Sequence, residues 1–340
     1  MKSNNLIFLD KLFGLIFQPL IVFNCLITHL FKKNPKNIKR ILIIKFLGAG
    51  NIIAVDNFYK KFDITYLTAD KNKSAVSFLN KKKIIIDTNY KIISSFFKII
   101  YFCLFNKFDC VINLESESHF SYFLTSICNS GFKTGITNKH KSYRDKFLYS
   151  KHIVKNDKNQ YHQIIDYFLL DQYYRDKKKI NVNLIKLLKV KDKKISIFPT
   201  CSDADTNRRL PITEWDQIVK LLFKNNLIEL VIQDNDYQYN SFRKLSKKYN
   251  IALRNINYSH FWELIKNSEV VVTVDSQAYH IGQYFNKIVY CFFGPTNENN
   301  IWFNKKTIPI KHEYFCSPCT HKYFIVPCKN KQPCMFFLKK

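Results

Sequence analysis

One stretch, EVVVTVDSQAYHIGQYFNKIVYCFFGPT (269–296), constrains the fold of this chain more than any other. An apolar run of strand length (270–274) ends at an acid, Asp275. A polar turn, Ser276 and Gln277, then leads into a helical stretch carrying His280. A second apolar run (288–293) and Gly-Pro-Thr follow. A fully apolar strand that passes straight into a helix belongs to a parallel α/β sheet, where strand ends deliver side chains to a ligand. The start of the helix offers backbone N–H groups to an anion, which predicts a phosphate-bearing ligand.

The same alternation runs through the chain. Strands are expected at 41–46, 63–67, 83–86 and 109–114, with helices at 73–80, 92–105, 120–130 and 161–174. A charged connection (176–194) precedes a second set, with strands at 195–198 and 227–232 and helices at 211–223, 239–249 and 259–266. Alternating strands and helices imply mostly parallel sheets with right-handed crossovers. A chain of 340 residues, 46% of them hydrophobic, suits two domains of roughly 150 residues each. The expected architecture is two such units with a cleft between them, and no solenoid repeat is evident.

Lys and Arg number 54 against 26 acids, a net charge of +28. Such a charge attracts polyanions: nucleic acid, an anionic membrane or a phosphorylated glycan. The basic residues are mostly Lys and are spread along the whole chain, which argues against nucleic acid as first choice. Six of the ten Cys (25, 103, 110, 128, 201 and 291) stand singly in apolar segments, as small hydrophobes in a reducing cytosol.

Residues 12–30 carry no formal charge, and Lys32, Lys33, Lys36, Lys39 and Arg40 follow. The stretch is at the short limit for a membrane span and contains Gln18, Pro19, Asn24 and His29. It also lacks a small-residue cleavage site. A helix lying in an inner-leaflet interface beside a polybasic anchor comes first. A helix packed on its own domain or on a partner comes second, and a true span third.

Several polar groups can carry chemistry. Gly48 and Gly50 open the turn after the first strand, and a plain structural turn explains them before an anion loop does. Glu115 and Glu117 follow the 109–114 strand, where a carboxylate can take a proton from a sugar hydroxyl; capping of the next helix is the competing explanation. Thr200, Ser202, Arg208 and Arg209 lie after the 195–198 strand. Arg presents a two-pronged donor to phosphate oxygens, although two adjacent Arg also suit a solvated flank. His280 stands one helical turn past Ser276 and close to Asp275. Cys316, Cys319, Cys328 and Cys334 supply four thiols. A structural zinc site and a reduced, packed tail explain them equally well.

Together, KRILIIKFLGAGNIIAVDNF, DCVINLESESHFSYFLTSICNSGFKTGI, FPTCSDADTNRRLPITEWDQIVKLL, VVVTVDSQAYHIGQYFNKIVYCFFGPTNE and the tail CSPC…C…CM resemble the lipopolysaccharide heptosyltransferases, glycosyltransferase family 9. The resemblance covers essentially residues 39–340. It implies a GT-B fold, two Rossmann-like domains facing a central cleft, with the acceptor on the first and the nucleotide-sugar donor on the second. The implied organisation is a membrane-associating segment (1–38), an acceptor domain (39–180), a donor domain (181–310) and a Cys-rich tail (311–340).

The implied reaction is inverting, needs no cofactor or metal, and moves heptose or another sugar to a lipid-linked core oligosaccharide. It would take place in the cytoplasm, at the inner face of a bacterial inner membrane. Asp275, Ser276, Gln277 and His280 would line the donor's diphosphate and sugar. Thr200 and Arg208 would meet the phosphates, Arg208 standing where the family usually has Lys. Many members carry Asp as base where this chain has Asn51, which cannot take a proton at neutral pH. The resemblance to members with an Asp-Leu-Glu stretch then moves the base to Glu115. Gln277 replaces the family's Gly, so the donor need not be ADP-heptose. Two rivals remain at this level: a catalytically silent nucleotide-sugar or glycan binder, and a basic zinc-bearing nucleic-acid binder.

Overall fold

The computed structural model describes residues 3–30, 38–46, 48–58, 62–79, 81–86, 92–115, 118–137, 143–154, 187, 189–201, 203–233, 235–296, 306–311, 317–319 and 333–338. The chain divides into two compact units, Met1–Tyr173 and Tyr174–Lys340. The expected helix at 161–174, and Ser116, Glu117, Ser202, Cys316 and Cys328, lie outside the described residues.

In the first unit, β1 (Arg40–Ile44), β2 (Asp63–Ala69), β3 (Lys82–Ile86), β4 (Cys110–Asn113), β5 (Lys133–Thr137) and β6 (Lys151–Val154) form a parallel sheet. Its order is β3-β2-β1-β4-β5-β6, so the chain winds outward one way from β1, crosses back, and continues from β4. The reversal falls between β1 and β4, where Ile44 pairs with Asn113. Connecting helices are α2 (Ala49–Phe58), α3 (Lys73–Phe78), α4 (Ile92–Phe105), α5 (His119–Ile127) and α6 (Tyr143–Leu148). Leu42, Ile44 and Val111 pack against Ile99 and Cys103 of α4 and Tyr122, Phe123 and Leu124 of α5.

A long helix, α1 (Ser3–Leu30), precedes the sheet and continues through Pro19. No helix among the described residues is long and apolar enough to cross a membrane. One stripe of α1 joins the first unit's core. Gly14 lies so close to His119 that a Cβ would fall 2.3 Å from the ring. Phe17 meets Phe123 at 5.7 Å, and Ile21 and Cys25 are buried in the α4–α5 cluster. Burying an Ile side chain fully stabilises by about 1.5–3 kcal/mol, so this docking is substantial. Ile21 and Cys25 of α1 are therefore part of the first unit's core.

The second unit repeats the plan with β7 (Lys194–Phe198), β8 (Leu227–Val231), β9 (Ala252–Arg254), β10 (Val270–Val274), β11 (Ile288–Phe293) and β12 (Thr307–Lys311). The order β12-β11-β10-β7-β8-β9 puts its reversal between β7 and β10. Its helices are α7 (Ile212–Phe223), α8 (Tyr239–Tyr249), α9 (Tyr258–Asn267) and α10 (Gln277–Tyr284). The tail packs here as well. Cys334 and Met335 lie in the hydrophobic core, and the N–H groups of Phe337 and Leu338 donate to Glu214 Oε2 at 2.8 and 2.9 Å.

The strands that sequence reading missed are short or interrupted. β5 (KTGIT) contains a glycine because Tyr149 fills the space a side chain would need, a Cβ there falling 2.5 Å from its ring. β9 and β6 are short edge strands, and β12 (TIPIK) carries Pro309, which an edge strand tolerates.

Candidate active site

Open α/β sheets bind ligands beyond the carboxyl ends of the strands, where the strand order reverses. In the first unit that point is flanked by the loop after β1, which carries Gly48, by Asn51 in the first turn of α2, and by Glu115 after β4. Gly48 has φ +92°, and a Cβ on it would sit 3.1 Å from Asn51 Nδ2 and 3.9 Å from Lys45 Cε. Gly50 instead lies in the first turn of α2 with no left-handed backbone, so only one of the two glycines is needed for the turn.

Glu115 is held from several sides. Phe46 N–H donates to Oε1 at 2.8 Å, Lys45 Nζ lies 3.2 Å from Oε2, and Glu115 N–H donates to Asn113 Oδ1 at 3.0 Å. Lys45 also donates to the Leu114 carbonyl at 3.2 Å. The buried Asn113 is itself fixed, its amide donating to Ser121 Oγ (3.1 Å) and Tyr149 OH (2.9 Å). Asn72 steadies the facing loop by donating to the Phe46 carbonyl at 2.8 Å.

The start of α5 is capped twice, first locally by Ser118 Oγ, which accepts from Ser121 N–H at 3.1 Å. Asp10 of α1 accepts from Ser118 Oγ (2.8 Å) and from the N–H groups of His119 (2.9 Å) and Phe120 (3.0 Å). Sequence reading missed Lys45, Asn113, Asn72 and Asp10. Lys45 had one legible signal, a cation closing an apolar strand at its carboxyl end.

In the second unit β7 and β10 are neighbours, Phe198 pairing with Thr273, so their following loops emerge side by side. Thr200 stands two residues past β7, half-buried. Arg208 closes the 3-10 turn Asp203–Arg208 and reaches the other loop. Its Nη1 donates to the Asp275 carbonyl at 3.0 Å and lies 3.4 Å from Asp275 Oδ2. Asp275 is 7% exposed and Arg208 20%, so this pair is well shielded.

Ser276 precedes α10 without capping it through its side chain; its Oγ lies 3.0 Å from Thr273 Oγ1 instead. The first-turn N–H groups of α10 have no acceptor within the helix itself, the general condition of a helix start and the basis of its attraction for anions. Burial pushes the His280 imidazole down to about 4; Asp275 pulls it up and Arg208 down, without reversing the burial effect. At neutral pH His280 is an uncharged hydrogen-bonding group beside an acid and a guanidinium.

Arg209, the neighbour of Arg208, has a different task. It is buried, donates to both oxygens of Asp236 at 2.8 Å and to the Cys201 carbonyl at 2.8 Å, and so ties the loop after β7 to the loop after β8. The structure thus joins Arg208, Asp275 and His280 in one group and Glu115 with Lys45 in another. Thr200, Ser276 and Gln277 sit at the same strand ends as the first group.

Of the tail cysteines, Cys319 and Cys334 are buried. Cys319 N–H donates to the Pro295 carbonyl at 2.9 Å, and a Cβ on Gly294 would lie 3.0 Å from Cys334 Sγ. Among the described residues no group of three His, Cys, Asp or Glu is arranged to hold a metal ion.

Two Rossmann-like units, each with polar groups at its switch point, make up the α/β GT-B fold of a glycosyltransferase. The chain belongs to glycosyltransferase family 9 (heptosyltransferase), whose model matches residues 103–329. Its structure resembles E. coli heptosyltransferase WaaC with ADP at a TM-score of 0.61 and 13% identity, covering 80% of this chain and 93% of that one. The family 9 glycosyl transferase from Veillonella parvula matches at 0.59 and 14%, over 80% and 85%. E. coli ADP-heptose lps heptosyltransferase II matches at 0.57 and 14%, over 81% and 91%. No curated protein sequence matches the chain.

Proposed function

We propose that this glycosyltransferase moves heptose or a related sugar from a nucleoside diphosphate donor to a hydroxyl of a lipid-linked lipopolysaccharide or lipooligosaccharide core. It does so at the cytoplasmic face of the inner membrane, with inversion and without a metal. The observation that carries this reading is the group of Arg208, Asp275 and His280 beside the α10 N-terminus. A shielded guanidinium, a neutral imidazole and the positive end of a helix suit a sugar diphosphate. Solved relatives of similar fold hold ADP and ADP-2-deoxy-2-fluoro heptose, which supports an adenine nucleotide as the first donor to try.

In the proposed step the acceptor hydroxyl loses its proton to Glu115, and its oxygen attacks the anomeric carbon. The bond from that carbon to the diphosphate oxygen breaks, and the leaving diphosphate takes the electron pair. Arg208, Thr200 and the first-turn N–H groups of α10 meet the developing charge. Asn51 cannot serve as base, while Lys45 holds Glu115 in place from 3.2 Å.

The test is binding and turnover with a donor panel and native truncated glycolipid. Wild type binds ADP, and Arg208→Ala weakens it about tenfold to a hundredfold, the worth of one charge-assisted hydrogen bond. Equal ADP affinity in the two proteins would sink the donor assignment. Tight nucleotide binding with no turnover on any donor would favour the silent binder, the reading that Asn51 and Gln277 support.

A further inference from the structure

The second face of α1 is as apolar as the first. Ile16, Leu20, Phe23, Ile27 and Leu30 recur at intervals of three and four residues, and each is between 40% and 79% exposed. A helix apolar on all sides belongs in a buried setting, yet among the described side chains of α1 the buried stripe is Gly14, Ile21 and Cys25, with Phe17 half-buried beside them. Helix α4 shows the same pattern: Ile99 and Cys103 are buried, while Phe97, Tyr101 and Phe105 are about two-thirds exposed.

These two bare stripes flank a single element. Residues 121–126 of α5 are all buried, enclosed between the sheet on one side and α1 and α4 on the other. Phe123 marks the junction, with Phe17 of α1 at 5.7 Å and Phe96 of α4 at 6.5 Å. Helices α1 and α4 thus both pack on α5 and leave their outer stripes bare.

We infer that these bare stripes are the docking surface for an anionic lipid bilayer, with α1 and α4 lying in its interface. Charge decides between occupants. Lys98 stands exposed within the α4 stripe, and Lys107, Lys39 and Arg40 are exposed. In sequence Lys32, Lys33 and Lys36 follow directly on the apolar helix. Apolar side chains beside snorkelling cations match the boundary between acyl chains and anionic headgroups. A second copy of this chain would instead bring together two chains that each carry a net charge of +28. The inference deepens the reading of a lipid-linked acceptor and rests on it: an enzyme held flat on the leaflet meets such an acceptor in two dimensions.

The experiment is co-sedimentation of the full chain with vesicles of phosphatidylcholine, alone or with about 30 mol% phosphatidylglycerol. Three proteins are compared: wild type, Leu20→Ser/Phe23→Ser/Ile27→Ser and Phe97→Ser/Tyr101→Ser/Phe105→Ser. Wild type partitions to the anionic vesicles, less at high salt, and each triple variant loses at least about tenfold in partitioning. Phe23→Trp, which keeps an aromatic residue at an exposed site, shows a blue shift and quenching by brominated lipid. That readout holds even if a triple variant folds poorly.

Wild-type binding unchanged in both triple variants overturns the inference, and so does a Phe23→Trp protein whose fluorescence neither shifts nor quenches on anionic vesicles. A wild-type dimer that both triple variants abolish, while no protein binds vesicles, overturns it as well. ADP affinity measured without vesicles separates the two readings. Its absence with vesicle binding intact removes the donor assignment alone, and its presence without vesicle binding removes the membrane surface alone.

Discussion

Glu115→Gln tests both the electrostatics of the first unit's switch point and the chemistry assigned to it. The substitution keeps shape and an oxygen that can accept from Phe46 N–H, now 2.8 Å from Oε1. It removes the charge opposite Lys45 and can turn an NH₂ toward that ammonium across 3.2 Å. Coulomb's law at that distance, with an effective dielectric of about 20, sets a ceiling near 5 kcal/mol. The side chains are 11% and 18% exposed, and Lys45 keeps the Leu114 carbonyl, so part of the loss is recovered.

The expected destabilisation is about 2–3 kcal/mol, slightly below the usual cost of breaking a fully buried pair. Urea denaturation of wild type, Glu115→Gln, Lys45→Met and the double variant completes the cycle, and the double variant costs clearly less than the sum of the singles. In folded enzyme, loss of a general base lowers kcat by about 10²–10⁴-fold. Donor affinity stays unchanged, because Arg208 and Asp275 belong to the other unit. Lys45→Met keeps the carboxylate and retains most of kcat. A Glu115→Gln enzyme with near wild-type kcat per folded molecule refutes the base, and additive stabilities refute the ion-pair reasoning.

Asp10→Ala removes three acceptor contacts at the start of α5 and is expected to cost about 2 kcal/mol, at the upper end for a helix cap, read by urea denaturation. Faster proteolysis within residues 3–30 accompanies it, and Asp10→Asn falls between. His280 titrates by NMR with a midpoint near about 4. Because its folded value is depressed, the unfolded chain takes the proton first as pH falls below about 6.5. Stability therefore declines from about pH 6.5 to about pH 4, and His280→Gln flattens that window; a midpoint near the ordinary imidazole value removes the uncharged imidazole from the proposed donor group. Gly48→Ala forces a side chain onto φ +92° and lowers stability by about 1–3 kcal/mol in thermal melts, whereas Gly50→Ala, inside α2, is neutral or raises it by up to about 1 kcal/mol.

The parallel sheets, the strand-to-helix junction at 269–296 and most element positions were legible in the sequence, because apolar period and turn chemistry are local properties. So was the family, carried by short motifs at strand ends. Asp275, His280, Arg208 and Glu115 could be named for the same reason: each follows an apolar strand.

Tertiary structure alone decided how those residues are paired. Lys45 meets Glu115, and Arg208 meets Asp275, only because β1 lies beside β4 and β7 beside β10, with chain separations of 70 and 67 residues. Packing of α1 on α5 also gave α5 a second cap from Asp10, more than a hundred residues away. Sequence left α1 between lying on a membrane and packing on its own domain, and the fold showed that one face packs while the other stays bare. A periodic apolar pattern records that a face must be buried, but what buries it depends on which elements the sheet topology brings alongside.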